Sequence, residues 1–184
     1  ELRAPRYPEY YTVERPIAAY SMAEVEAWAF RGDLIPTLAA PPQARTFVAR
    51  WLHAFSGGRK PISITFREAD NATAKNSNRE AWTSFLAGLD ARLYFPFLIR
   101  DTDRVFEPGP LDLEGVAHFS LAAVNIELRA AAYELSYLNL VGMSGPAMLC
   151  LFDSTVRCLV FNVGTSGSST VTPDAYRTNY GIEP

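Results

Sequence analysis

The chain has 184 residues, 48% hydrophobic and 20% charged, with a net charge of −3 and a pI near 5.4. A single domain of this size buries roughly 70% of its unfolded surface, so it folds without disulfides or structural metals, and its composition excludes disorder. A nonspecific nucleic-acid binder is basic, which argues against that role, and no apolar run reaches the ~18 residues of a membrane span.

Residues 1–20 carry Pro5, Pro8 and Pro16 among Tyr7, Tyr10, Tyr11 and Tyr20. Prolines break regular structure and tyrosines favour a surface to lie on, so this stretch reads as an extended arm that docks on something. The start at Glu1 reads as processing or as a piece of a longer protein. Ser21 and Glu24 form a capping box for a helix to about Arg31, stopped by Gly32. Pro41-Pro42 opens a second helix with an apolar stripe of Phe47, Val48, Trp51, Leu52 and Phe55, ended by Gly57-Gly58. Residues 1–58 are thus an arm and helices, and 59–184 a separate alternating domain.

In that domain Ile62–Phe66 is a β-branched strand. After a polar loop, Ser77 and Glu80 form a capping box for a helix with Trp82, Phe85 and Leu86 on its buried face, which Gly88 helps end. Tyr94–Ile99 is a strand whose Pro96 implies an edge position or a bulge. Residues 104–115 read as loop, Val116–Phe119 as a short strand and Ala122–Leu135 as one helix. Tyr137–Val141 is a strand, Ala147–Phe152 a helix and Val156–Val163 the last strand. A Gly164–Ser169 loop and a short helix capped by Thr172 follow. The alternation predicts an α/β fold: a Rossmann-like three-layer domain with a mostly parallel sheet of four or five strands. Neither a P-loop nor a GxGxxG fingerprint is present.

Ligands of such sheets bind beyond the carboxyl ends of the strands, which selects three places. After the first strand stand Arg67 and the loop carrying Asn76, Asn78 and Arg79. Arg67 is either a bidentate phosphate ligand or an ion-pair partner of Glu68 or Asp70. Asn76, Asn78 and Arg79 precede a helix and either contact a ligand or cap it. After the second strand, Asp101 and Asp103 either accept ribose or base hydrogen bonds or form an Asx turn. Their short DxD form, which holds a divalent metal with a sugar nucleotide in some transferases, is kept as a minor alternative; His53 and His118 are too isolated for a metal site, and none is assigned. After the strand ending at Val141, the turn Gly142-Met143-Ser144-Gly145-Pro146-Ala147 either offers backbone amides to an anion or is an ordinary strand-to-helix turn. A serine hydrolase is disfavoured: the turn departs from Gly-x-Ser-x-Gly, and His118 precedes the serine. Cys150 and Cys158 lack CxxC spacing and read as free, buried thiols of a reducing, cytoplasmic compartment. Only Lys60 and Lys75 are lysines among the 17 basic residues, which fits a composition bias.

The strings Ile-Ser-Ile-Thr-Phe-Arg-Glu, Lys-Asn-Ser-Asn-Arg-Glu-Ala-Trp, Phe-Leu-Ile-Arg-Asp-Thr-Asp and Ala-Ala-Tyr-Glu-Leu-Ser-Tyr-Leu-Asn-Leu-Val-Gly-Met-Ser-Gly-Pro carry a family resemblance. Over about residues 60–182 the chain resembles uncharacterised bacterial glycosyltransferase-like proteins, and through them the nucleotide-sugar-binding half of GT-B enzymes of the fucosyltransferase-like and heptosyltransferase-like branches. The resemblance implies one half of a GT-B-like architecture. It implies a nucleotide-sugar donor and metal-independent glycosyl transfer, with no further cofactor. By the same resemblance, Arg67 holds the donor diphosphate, Asp101 and Asp103 lie beside the nucleotide, and Ser144, Gly145, Pro146 and Ala147 face the diphosphate. GT-B enzymes have two such domains and this chain has one, so a second domain or another copy, reached through the N-terminal arm, is the expected partner. No catalytic base is assigned. The alternative is a non-catalytic nucleotide- or glycan-binding or assembly module of the same fold.

Overall fold

A computed structural model describes residues 30–32, 37–70, 73, 76–107, 116–142 and 144–161. The chain divides into two compact units, Glu1–Pro36 and Thr37–Pro184. Of the first, only the end of the predicted Ser21–Arg31 helix is described: Phe30 is helical and Gly32 turns at φ 75°. The tyrosine-rich arm, the Gly164–Ser169 loop and the Thr172 helix lie outside the described residues.

In the second unit, Pro42 occupies the first turn of α1 (Pro42–Ser56), where its missing N–H costs no helical hydrogen bond. Gly57 ends the helix in the left-handed region at φ 58°, a conformation that favours glycine. The buried line is Ala44, Val48, Leu52 and Ser56, spaced four apart. That line is narrower than the expected stripe: Phe47 and Phe55 are exposed, while half-buried Trp51 stacks on Phe119 with ring centroids 4.5 Å apart. Glu134 fixes the start of α1 by accepting hydrogen bonds from the Ala40 amide and the Arg45 guanidinium.

The chain then runs through β1 (Lys60–Phe66), α2 (Arg79–Gly88), β2 (Tyr94–Arg100), a 3-10 turn (Thr102–Arg104) and β3 (Ala117–His118). It continues through α3 (Leu121–Val124), α4 (Ile126–Leu135), β4 (Leu138–Gly142), α5 (Ala147–Leu151) and β5 (Cys158–Phe161). The strands form one parallel sheet in the order β3-β2-β1-β4-β5. With helices on both faces this is a Rossmann-like three-layer domain. The strand order turns back between β1 and β4, so the carboxyl ends of these two strands flank the crevice where such sheets bind ligands.

Alternation along the strands builds two cores. Phe95, Phe97, Ile99 and Val141 pack with Val48, Leu52, Ala131, Ala132 and Tyr133, on the face covered by α1, α4 and α5. Ile62, Ile64, Phe66, Leu98 and Leu140 pack with Leu86 and Trp82 of α2 on the other. The first face also carries a polar line. The Ser63 hydroxyl lies 2.5 Å from Asn139 Oδ1, and Asn139 Nδ2 donates to the carbonyls of Tyr133 and Arg157 at 2.9 and 3.0 Å. Thr65 Oγ1 and the Tyr133 hydroxyl hydrogen-bond at 2.7 Å, and burial pushes that phenol up to about 12.

Four local expectations change. Pro96 sits in an interior strand, yet β3 pairs with β2 only from Phe97 onward, so at Pro96 no β3 residue needs its missing N–H. The single helix over 122–135 is two: Asn125 adopts an extended conformation (φ −128°, ψ 113°), closes α3 and caps α4 by accepting the Leu128 N–H. An asparagine that bonds its own backbone competes with helix continuation. Asn78, rather than Ser77, caps α2 by accepting the Ala81 N–H. Ser77 instead accepts the Arg67 amide. Finally, β5 is described as Cys158–Phe161, and 162–163 of the predicted strand lie outside the described residues.

Cys150 is buried, Cys158 is half-buried, and both are free thiols. Burial, followed by the neighbouring Cys158, pushes the Cys150 thiol up to about 12; burial raises Cys158 as well. At pH 8 a thiol with that pKa is ionised to about one part in ten thousand. Cys150 is therefore expected to react with a thiol reagent about a hundredfold or more slowly in the native protein than in denaturant. Equal rates, followed by mass spectrometry of the labelled peptide, contradict its burial. No helix among the described residues is long and apolar enough to cross a membrane.

Candidate functional site

The carboxyl end of β1 opens into a polar cleft of about 380 Å³. Its walls come from three places: the loop leaving β1, the start of α2, and the end of β2 with the turn behind it. The loop is closed at its base by paired bonds. The Arg67 N–H donates to Ser77 Oγ at 2.9 Å, and the Ser77 N–H returns to the Arg67 carbonyl at 3.0 Å. One step further, Asn76 accepts the Ala69 N–H at 3.0 Å and donates to the Ala69 carbonyl at 2.9 Å. A side-chain amide thus stands in for a strand partner and holds the loop shut.

Among the described residues, four arginines line the cleft, Arg67, Arg79, Arg100 and Arg104, against the carboxylates of Glu68, Asp70 and Glu107. The pairing among them is uneven. Arg100, buried at the end of β2, grips Glu68 through both fork nitrogens, at 2.8 and 3.1 Å, and donates to the Glu107 carbonyl at 2.7 Å. Arg104 pairs with Asp70 at 2.5 Å and with Glu107 at 3.0 Å. Glu107 first and Asp70 second hold the Arg104 guanidinium above its ordinary range. The two carboxylates that the sequence offers to Arg67 are therefore taken by other arginines. Arg67 has no carboxylate partner among the described residues, and its buried Nε has no hydrogen-bond partner. A buried donor left unmade costs about 1–3 kcal/mol, more when it is charged.

The cleft gathers Arg67, Asn76 and Arg79 from the expected residues. Asn76 and Asn78 have structural roles, as loop closure and helix cap. Asp101 accepts the Glu68 amide at 2.6 Å, which positions the backbone of the β1 loop. Asp103 is exposed on the 3-10 turn. Arg100 and Arg104 are additions. Their signal in the sequence is faint: a cation directly after an apolar strand, then another one turn on.

In the Ser144–Ala147 turn part of the expected donor set is engaged within the turn. The Ala147 N–H donates to the Ser144 carbonyl and the Met148 N–H to the Gly145 carbonyl, at 3.0 and 3.1 Å. The Ser144 hydroxyl donates to the Gly142 carbonyl at 3.1 Å. These donors are spent on the turn itself, and α5 beyond it has only five residues. Gly145 and Pro146 line a second, apolar hollow rather than the arginine cleft. No family model, curated protein or solved structure matches the chain.

Proposed function

We propose that the arginine cleft binds the diphosphate of a nucleotide sugar, and that the chain is the donor-binding domain of a GT-B-like glycosyltransferase. The observation that carries this reading is Arg67 at the carboxyl end of β1, with its Nε buried and unpartnered while Glu68 and Asp70 are held by Arg100 and Arg104. A guanidinium fork matches two phosphate oxygens, and Arg79 adds an exposed second cation at the rim. In transfer, the acceptor oxygen bonds to the anomeric carbon as the bond to the diphosphate oxygen breaks. The diphosphate leaves with its bonding pair, and the developing charge falls on Arg67 and Arg79 in place of a metal. The acceptor hydroxyl loses its proton to a base supplied by the second domain or by solvent.

A second reading is a non-catalytic nucleotide- or glycan-binding module. It is favoured by the pairing of the cleft carboxylates: Glu68, Asp70 and Glu107 each engage an arginine and so are occupied within the cleft wall. In either reading the two free thiols fit a reducing cytoplasm, and the arm over residues 1–20 is the proposed contact to a second domain or another copy. Calorimetry with a panel of nucleoside diphosphates tests the shared claim. Saturable binding of at least one, competed by pyrophosphate, is expected; no binding by any overturns both nucleotide readings. Sugar transfer from the bound donor to an added acceptor separates enzyme from binding module.

A further inference from the structure

A second charged group lies buried without a counter-charge, on the opposite face of the sheet. Arg129, on α4, is 7% exposed. Its Nε donates to the Ala122 carbonyl at 2.7 Å, and an Nη donates to the Arg100 carbonyl at 3.4 Å. The Tyr133 hydroxyl, one helical turn on, lies beside it. Carbonyls and a neutral phenol satisfy N–H groups but leave the positive charge whole. Among the described residues no carboxylate pairs with Arg129. Burying a cation with no anion is costly, and natural chains seldom retain such a group without a use for it.

Among the described residues, Arg129 is also the one charged residue lining the hollow of about 480 Å³ that Gly145 and Pro146 enter. The other walls are Ala122, Ala123, Val124, Ile126, Met148 and Leu149. Val124 and Ile126 stand exposed at 54% and 68%, so the apolar lining continues out to solvent. A volume in the range of small-molecule pockets, an apolar wall and one buried cation together define a ligand type. We propose that this hollow binds an amphipathic anion: a carboxylate or phosphate, held by Arg129, on an apolar body that lies against Val124, Ile126, Pro146 and Met148. The site uses no side chain of the arginine cleft and does not depend on the nucleotide reading.

The test is calorimetric titration of the full chain with decanoate, decyl phosphate, decanol and inorganic phosphate. Saturable binding is expected for one or both amphiphilic anions, and whichever binds identifies the headgroup. Decanol and inorganic phosphate are expected to bind about tenfold or more weakly, since each lacks one half of the match. Arg129→Met, with folding checked by circular dichroism, is expected to lose about tenfold or more in affinity for the anion. Should that variant fail to fold, Ile126→Glu serves. This exposed position is the first residue of α4, where a carboxylate is favourable to the helix and repels the ligand, and a similar loss is expected. Arg67→Ala is expected to leave this binding intact. Decanol binding as tightly as both anions, a folded Arg129 or Ile126 variant with unchanged affinity, or no saturable binding of either anion overturns the proposal.

Discussion

Replacing Asn139 by alanine is expected to lower stability by about 2–3 kcal/mol. Asn139 is fully buried in β4 between β1 and β5. Its side chain touches three elements at once: the Ser63 hydroxyl in β1, the Tyr133 carbonyl near the end of α4, and the Arg157 carbonyl just before β5. Alanine leaves the buried Ser63 hydroxyl without its partner, at a cost of about 1–3 kcal/mol, and leaves the Tyr133 carbonyl with only the long Ser136 N–H bond at 3.4 Å. The Arg157 carbonyl keeps the Asn139 backbone N–H at 2.9 Å, so its loss is partial. Ser63→Ala removes one bond and leaves one acceptor, and is expected to cost about 1 kcal/mol. Urea unfolding at unchanged slope reads both values. A loss below about 1 kcal/mol for Asn139→Ala contradicts the network's role.

Arg67→Ala is expected to weaken nucleoside diphosphate binding by about ten- to a hundredfold while leaving the fold intact. Arg67 makes no ion pair that holds the loop together among the described residues; its anchoring bonds are made by its backbone to Ser77. Losing the side chain removes a buried, unsatisfied nitrogen, so the free protein is expected to hold or gain stability. Arg67→Lys is expected to recover part of the affinity, because a point charge replaces one bond of the fork but not both. Arg79→Ala is expected to cost less, since Arg79 is exposed at the rim and screened by salt. Calorimetry checks all three. An Arg79 loss larger than the Arg67 loss contradicts the assignment of Arg67 as the principal phosphate ligand.

The fold was legible because its signals are periodic. The β-branched run at Ile62–Phe66, the apolar run at Tyr94–Ile99 and the helices between them each show a repeat that local chemistry imposes. Departures came where one side chain overrode a periodic pattern. Asn125 breaks an otherwise continuous Ala- and Leu-rich helix, and Asn78 takes the cap from Ser77 because Ser77 is drawn to the Arg67 amide.

The candidate site was legible in part. That strand ends carry ligands is a rule of topology, and it marked Arg67. Which arginine pairs with which carboxylate depends on residues thirty or more positions apart, Arg100 with Glu68 and Arg104 with Asp70, and no local spacing encodes that choice. Arg129 was hidden for a similar reason. On the helix it looks like an ordinary surface cation, and only the packing of α3 and the end of β2 around it makes it buried.

The proposed function rests on Arg67 as the group that binds the nucleotide diphosphate. A crystal structure of the chain with a bound nucleoside diphosphate tests it most directly. The expected result is a phosphate oxygen within about 3.2 Å of Arg67 Nε, with the Glu68–Arg100 and Asp70–Arg104 pairs unbroken. Phosphates held at the Ser144–Ala147 turn or in the Arg129 hollow, with Arg67 Nε still unpartnered, would contradict it.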